Sequence, residues 1–244
     1  MNTSRRQFLE VSLSGGALLA TVSLPELALA AGAQSAPARG IPLGAFVRIN
    51  SDDSVVIGAR GCEIGQGVRT SLPMLIAEEL DVPWERVRVE QLDYGIVAGK
   101  EPGQFTSPFG GQGAGGSTNI PDGWTYLREA GAQIRALLID GGAEQGNVDA
   151  AGLGTQEGGV RHADGRTATY GSLAARAAKL PLPAGPFTLK KHGDFRVIGK
   201  PTRTAGAAQI VAGSARYGTD ASMPGIVFAV IARCPYFEGT LKSF

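Results

Sequence analysis

The stretch GCEIGQGVRTSLPMLIAEELDVPWERVRVE, residues 61–90, passes from a glycine-rich loop into a helix and out again into a strand. Leu72, Leu75, Ile76 and Leu80 recur at i, i+3, i+4 and i+8, which lines one apolar face of a helix running through Glu79 and Leu80. Thr70 is placed to cap that helix, and Pro73 then falls in its first turn, where a missing N–H is tolerated. Glu78 and Glu79 read as its solvated face. Arg86–Gln91 (RVRVEQ) alternates as a half-buried strand. Upstream, LGAFVRI (43–49) and Val55-Val56-Ile57 flank an Asp52-Asp53 turn, the pattern of a hairpin.

Downstream, residues 95–119 are glycine-rich without periodicity and read as one long loop, a length that in compact domains usually carries function. A helix follows from Pro121 to about Asp140, with Trp124, Leu127, Ile134, Leu137 and Leu138 on its apolar face and Gly141-Gly142 as its stop. A turn at Asp164-Gly165 and a short helix over 172–179 come next. LPLPAGP (180–186) has linker composition, and GIVFAVIAR (225–233) reads as a buried strand.

Composition narrows the class without naming a function. Of 244 residues, 36 are Gly and 14 Pro, with no triplet period, which excludes collagen. Hydrophobic residues make up 43% and charged residues 18%, so the chain is not a disordered polyelectrolyte. A net charge of +1 offers no electrostatic case for nucleic acid or anionic membrane. Two cysteines, Cys62 and Cys234, allow at most one internal disulfide. The first thirty residues read as an address. Arg5-Arg6, a mildly apolar run from Val11 to Leu24 interrupted by Gly15-Gly16, and Ala28-Leu29-Ala30 match a twin-arginine export signal, which implies a periplasmic protein exported folded. The apolar run is shorter than the roughly 20 residues of a membrane span. Residues 31–40 read as a linker.

Two motifs carry chemistry. Gly65-Gln66-Gly67 with Thr70 stands at the mouth of a helix, where backbone can approach a ligand closely and a helix N-terminus favours an anion. Gly115-Gly116-Ser117-Thr118-Asn119 precedes a second helix, and its hydroxyls and N–H groups suit a phosphate. Each motif has a plain structural alternative, a tight turn for the first and ordinary helix capping for the second. Neither is a Walker loop or a dinucleotide fingerprint. His162 and His192 read as solvated loop residues, Asp52-Asp53 as a turn, and Cys62 has no identifiable base beside it.

In combination these segments resemble a known family. The stretch from Leu43 to Glu90 is similar to the molybdopterin-binding large subunits of the xanthine oxidase family, in the exported branch typified by the beta subunit of isoquinoline 1-oxidoreductase and related aldehyde dehydrogenases. GGQGAGGSTNIPDGWTYLREAGAQIRALLI (110–139), DFRVIGKP (194–201) and ARYGTDASMPGIVFAVIARCPYFEGTLKSF (215–244) agree with it in the same order. The resemblance implies an α+β fold: a signal over 1–30, a linker over 31–40, and a molybdopterin-binding subdomain of mixed sheet and packed helices over 41–180. A linker over 181–194 and the incomplete start of an α/β hammerhead domain over 195–244 would follow.

The same resemblance implies a site. Gly65, Gln66, Gly67 and Thr70 would hold one side of a molybdopterin, as its cytosine dinucleotide, and Gly115, Gly116, Ser117 and Thr118 its phosphate oxygens. The cofactor would supply hydroxylation of an N-heterocycle or aldehyde, with electrons leaving through an iron–sulfur small subunit. A cytochrome c subunit and a second chain carrying the rest of the large subunit are further candidate partners. The family's general-base glutamate lies in a G-x-G-E segment that does not occur here, so the chain is expected to be inactive alone. A non-catalytic assembly module and a periplasmic binder of a phosphate-containing ligand stay open as other readings.

Overall fold

Val55, Val56 and Ile57 are buried β-branched residues, and such residues pack well on a pleated surface covered on both sides. They belong to an inner strand, the fourth of five, of the main sheet. The computed structural model describes residues 45–92 and 112–240, together with the backbone of short strands at 9–14, 17–22, 97–98 and 105–106. Apart from the backbone of those short strands, the expected export signal and most of the long glycine-rich loop lie outside the described residues. Contacts divide the chain into two units, Met1–Ala205 and Gly206–Phe244.

In the first unit, β1 (Leu9–Ser14), β2 (Ala17–Val22), β3 (Ala45–Ile49) and β4 (Val55–Ala59) pair antiparallel in sequence order. The Asp52-Asp53 turn joins β3 to β4 as expected, with Asp53 at φ 64°. Helix α1 (Val68–Leu80) then carries the chain back so that β5 (Val87–Gln91) lies parallel to β4, with Val55 opposite Val87. A parallel pair needs such a crossover. The sheet is thus mixed, and the α+β class is as expected. Backbone segments β6 (Val97–Ala98) and β7 (Phe105–Thr106) pair with each other.

Helix α2 (Asn119–Gly146) is 28 residues long, about 42 Å at 1.5 Å per residue. Gly141 and Gly142 do not stop it; Asn147 does, in the left-handed conformation. The two glycines are contact points instead. A Cβ on Gly141 would lie 3.2 Å from the Cβ of Ala177, and one on Gly142 3.0 Å from Val160. The strands β8 (Leu153–Gln156), β9 (Gly159–His162) and β10 (Thr167–Thr169) form an antiparallel sheet beside α2. Helix α3 (Tyr170–Ala177) follows, capped by the Thr169 hydroxyl, which accepts from Ser172 N–H. The Tyr170 hydroxyl is buried and donates to Leu80 O at 2.8 Å.

Glu78 and Glu79 are fully buried, not solvated. Their carboxylates bind the segment at 188–198, which crosses α1 and α2. Glu78 accepts from the N–H groups of Arg196, Val197 and Ile198 and from Lys190 Nζ. Glu79 accepts from Lys190 N–H and from Arg128, whose NH2 is 2.6 Å away. The Arg128 guanidinium lies between the rings of Trp124 and Phe195, at 5.1 and 5.2 Å. Gln133 Nε2 and Arg135 NH2 bond Pro183 O and Thr188 O, so the stretch read as a linker is fastened along α2.

The second unit holds helix α4 (Ala207–Val211) and a turn at Gly218–Asp220. The expected buried strand at 225–233 is not one: Val227, Phe228 and Val230 are 87%, 89% and 94% exposed, in unpaired backbone. An apolar run becomes a strand only where a neighbour completes its hydrogen bonds, and the described residues of this unit supply none.

Candidate functional site

Both glycine loops leave the same region of the first unit, one from the end of β4 and one into the start of α2. Gln112 joins their roots. Its carbonyl accepts from Cys62 N–H at 2.9 Å, and its side-chain Oε1 accepts from Gly61 N–H at 3.3 Å. Gln91, at the end of β5, donates from Nε2 to Ala59 O and Gly61 O, each at 3.0 Å. A Cβ on Gly61 would lie 3.2 Å from Asn119 Oδ1. These contacts set the start of the 61–67 loop against the segment that leads into 115–118. Gln112 is 1% exposed, a buried amide spent on holding two backbones together. The sequence reading missed Gln91 and Gln112; glutamines at the end of a strand and beside a glycine loop were the available signal.

The first loop is organised by a residue the sequence reading did not single out. Oε1 of Glu63 accepts from Gly65 N–H at 2.8 Å and Gly67 N–H at 2.9 Å, and Oε2 accepts from Arg69 N–H at 3.0 Å. Burial pushes the Glu63 carboxyl up, but the N–H groups of Gly67, Arg69 and Gly65 outweigh it and hold the group below the ordinary carboxylate range. Gln66 folds over the same loop, its Oε1 accepting from Ile64 N–H and its Nε2 donating to Cys62 O. With the first turn satisfied in this way, α1 starts at Val68 with Gly67 as its cap, at φ 85°. Thr70 is therefore inside the helix and is not the cap. It is 8% exposed, and its hydroxyl oxygen accepts from Ala205 N–H. Pro73 lies beyond the first turn, inside the helix.

The second loop is open. Gly115, Gly116, Ser117 and Thr118 are all exposed, and Thr118, the cap of α2, makes no side-chain capping bond. Gly116 and Ser117 have φ of 66° and 56°. A serine held there costs of the order of 1 kcal/mol or more, a cost that concentrates at ligand sites. The N-terminus of a long helix, with its N–H groups toward solvent, attracts negative charge.

Among the described residues the glycines differ in what an added Cβ would meet, and the open ones include Gly154, Gly165, Gly193, Gly199, Gly213, Gly218 and Gly225 as well as glycines of the two loops. At Gly123, Gly131, Gly141 and Gly171 an added Cβ would meet the protein itself, at 3.0, 2.6, 3.2 and 2.6 Å. At Gly65, Gly67, Gly113 and Gly115, nothing among the described residues lies within 4 Å. Gly113 and Gly115 do not have positive φ either, so neither packing nor backbone conformation of the described chain demands glycine there. A surface kept free of side chains is what a ligand approaching the backbone needs.

Other candidates do not join this site. His162 Nδ1 lies 2.8 Å from Asp164 Oδ1 in the β9–β10 turn, and His192 is exposed beside the ring of Phe195. Cys62 and Cys234 are free thiols. A cavity of about 240 Å³ opens near the C-terminal end of α1, lined by Glu78, Asp81, Trp84, Lys190 and Arg196 among others. Of its charged groups, Glu78, Asp81, Lys190 and Arg196 already pair with one another or with backbone.

Two glycine-rich loops thus stand at helix N-termini and are joined at their roots by Gln112. Comparison with known proteins gives the family. The family model described as "Molybdopterin cofactor-binding domain" matches residues 26–221, and the chain belongs to that family. It is 32% identical to the beta subunit of isoquinoline 1-oxidoreductase of Brevundimonas diminuta, over 95% of this chain and 33% of that protein. It is 26% identical to the membrane-bound aldehyde dehydrogenase (pyrroloquinoline-quinone) of Gluconacetobacter polyoxogenes, over 74% of this chain and 22% of the relative. The same identity relates it to a subunit of the nicotinate dehydrogenase of Pseudomonas putida, over 80% of this chain and 15% of the relative. The chain thus spans about a third or less of the curated relatives it matches.

Proposed function

We propose that this chain holds a molybdopterin between its two glycine loops, as part of a molybdenum hydroxylase large subunit. The observation that carries the reading is the pair of glycine loops fixed together by Gln112, with open space at Gly65, Gly67, Gly113 and Gly115 among the described residues. Gly65, Gln66 and Gly67, backed by Thr70, hold one side of the pterin. Gly115, Gly116, Ser117 and Thr118 hold phosphate oxygens at the α2 N-terminus, consistent with the cytosine dinucleotide form of the cofactor. When bound, the cofactor supplies the redox chemistry, hydroxylation of an N-heterocycle or an aldehyde.

What the chain's own residues do is bind and orient. The α2 N-terminus offers N–H groups and two hydroxyls to an anion. The Gln66 carboxamide, held over its loop, retains one N–H and a carbonyl lone pair to present to a ring edge. The remainder of the reading is a periplasmic location reached by the twin-arginine route, an iron–sulfur subunit as electron acceptor, and residues 195–244 as the start of an α/β hammerhead. The resemblance of the first thirty residues to an export signal and the subunit names of the relatives support it.

The glycine sorting gives a direct test. Gly115→Val has room for its side chain and an ordinary backbone conformation, so the melting temperature of the chain should stay unchanged. Pterin bound per chain, read from the fluorescence of the oxidised pterin, should fall at least about tenfold, as for other changes that misplace a ligand-holding group. Retention at wild-type level would refute the two-loop site.

A further inference from the structure

We infer that Glu63 is a positioning residue for the cofactor: its carboxylate is the built-in anion of the α1 N-terminus, and it presets the loop that presents Gln66. This rests on the molybdopterin reading above. The geometry distinguishes the two loops sharply. At α1, the N–H groups of Gly65, Gly67 and Arg69 all point into one carboxylate, at 2.8–3.0 Å. At α2, no side chain caps the helix. A helix N-terminus carries roughly half a positive charge, and at α1 that charge is already answered by Glu63. A second anion there would meet like charge and find the inner N–H groups taken.

Two consequences follow. The 61–67 loop holds its shape before any cofactor arrives, because three backbone donors converge on one side chain. The cofactor meets this loop through the Gln66 carboxamide and not through the N–H groups of Gly67 and Arg69, while phosphate oxygens are left to α2. Glu63 touches Gln66 only through the backbone it fixes, since the Gln66 amide bonds Ile64 N–H and Cys62 O within the same turn. It therefore acts on the cofactor at one remove.

The experiment uses the full chain, produced in a bacterium that makes molybdopterin, in wild-type, Glu63→Ala, Glu63→Gln, Gln66→Ala and Glu63→Ala/Gln66→Ala forms. Pterin per chain should fall about tenfold in Glu63→Ala, the scale seen when an orienting group is removed, and less in Glu63→Gln, which keeps one acceptor oxygen. The double variant should bind no less than Gln66→Ala alone, because Glu63 acts through Gln66. In cofactor-free chain, amide hydrogen exchange should be slow at Gly67 and Arg69 and should quicken in Glu63→Ala, with the rest of α1 unchanged. Equal pterin in wild type and Glu63→Ala would overturn the inference while leaving the cofactor reading intact. A rise in pterin would overturn it as well, since Glu63 would then be a competitor for the site. A wild-type chain that takes up no pterin would overturn both.

Discussion

Glu78→Ala is expected to destabilise the first unit by about 3–5 kcal/mol, the cost of breaking a buried charge pair from one side. Glu78 is fully buried, and three consecutive N–H groups, of Arg196, Val197 and Ile198, converge on its carboxylate together with the Lys190 ammonium. Removing the acceptor strands the three N–H groups against α1, where each unpaired buried group costs roughly 1–3 kcal/mol, and leaves the Lys190 ammonium with Asp81 alone. Glu78→Gln keeps one acceptor oxygen and should lose less. Denaturant unfolding monitored by the two tryptophans measures the change, and a loss below about 1 kcal/mol, the worth of a single ordinary hydrogen bond, would contradict this picture.

Acid should reproduce part of that effect. Burial pushes the Glu78 carboxyl up, but the N–H groups of Ile198, Val197 and Arg196 and the Lys190 ammonium outweigh it and leave the group below its ordinary value. A carboxylate with a depressed folded pKa stabilises fully above the unfolded value, about 4.3 for glutamate. That contribution is lost as pH falls through the lower folded value. Protection of the Arg196, Val197 and Ile198 amides, relative to their intrinsic exchange rates, should therefore fall below about pH 4 in the wild type, and should be low at every pH in Glu78→Ala.

Gly131→Ala is the second large effect. A Cβ at this position would lie 2.6 Å from the carbonyl oxygen of Ile76, and 3.0 Å from the Cβ of Glu79. The first of these is helix backbone and cannot turn aside, so α1 and α2 must separate where they cross. Alanine in a helix interior gains about 1 kcal/mol of propensity over glycine, while overpacking costs about 1–3 kcal/mol and occasionally more. Separation also pulls Glu79 from Arg128, now 2.6 Å apart, so the clash should win. Gly146→Ala is the control. It ends the same helix with its nearest neighbour, the side chain of Val148, at 3.4 Å, and should be neutral or slightly stabilising. Melting temperatures that fell equally in both variants would show that crowding at the crossing is not the cause.

How far the sequence carried the reading depended on whether a residue's neighbours were close in the chain. The apolar face Leu72, Leu75, Ile76, Leu80 and the alternation in β5 are local, and the helix and strand form where they were expected. The resemblance to a molybdopterin-binding family was carried by short motifs and agrees with the family match. The failures involve distant partners. Glu79 stands three residues after Ile76 and so borders the apolar face, but its burial depends on Arg128 and Lys190, far along the chain. Gly141 and Gly142 resemble a helix stop until α3 and β9 are seen against them. The run at 225–233 has strand composition, and composition does not supply the neighbouring strand. At the site, Thr70 was expected to cap α1, and Glu63 took the helix N–H groups first.

The claim at the centre of this account is that the two loops rooted on Gln112 hold a molybdopterin. Its most direct measurement is pterin and molybdenum content of the full chain, purified from a molybdopterin-making host together with any polypeptides that accompany it. Pterin should approach one per chain in the wild type and be lost on Gly115→Val with the fold intact. Purified material that contains neither pterin nor molybdenum would contradict it.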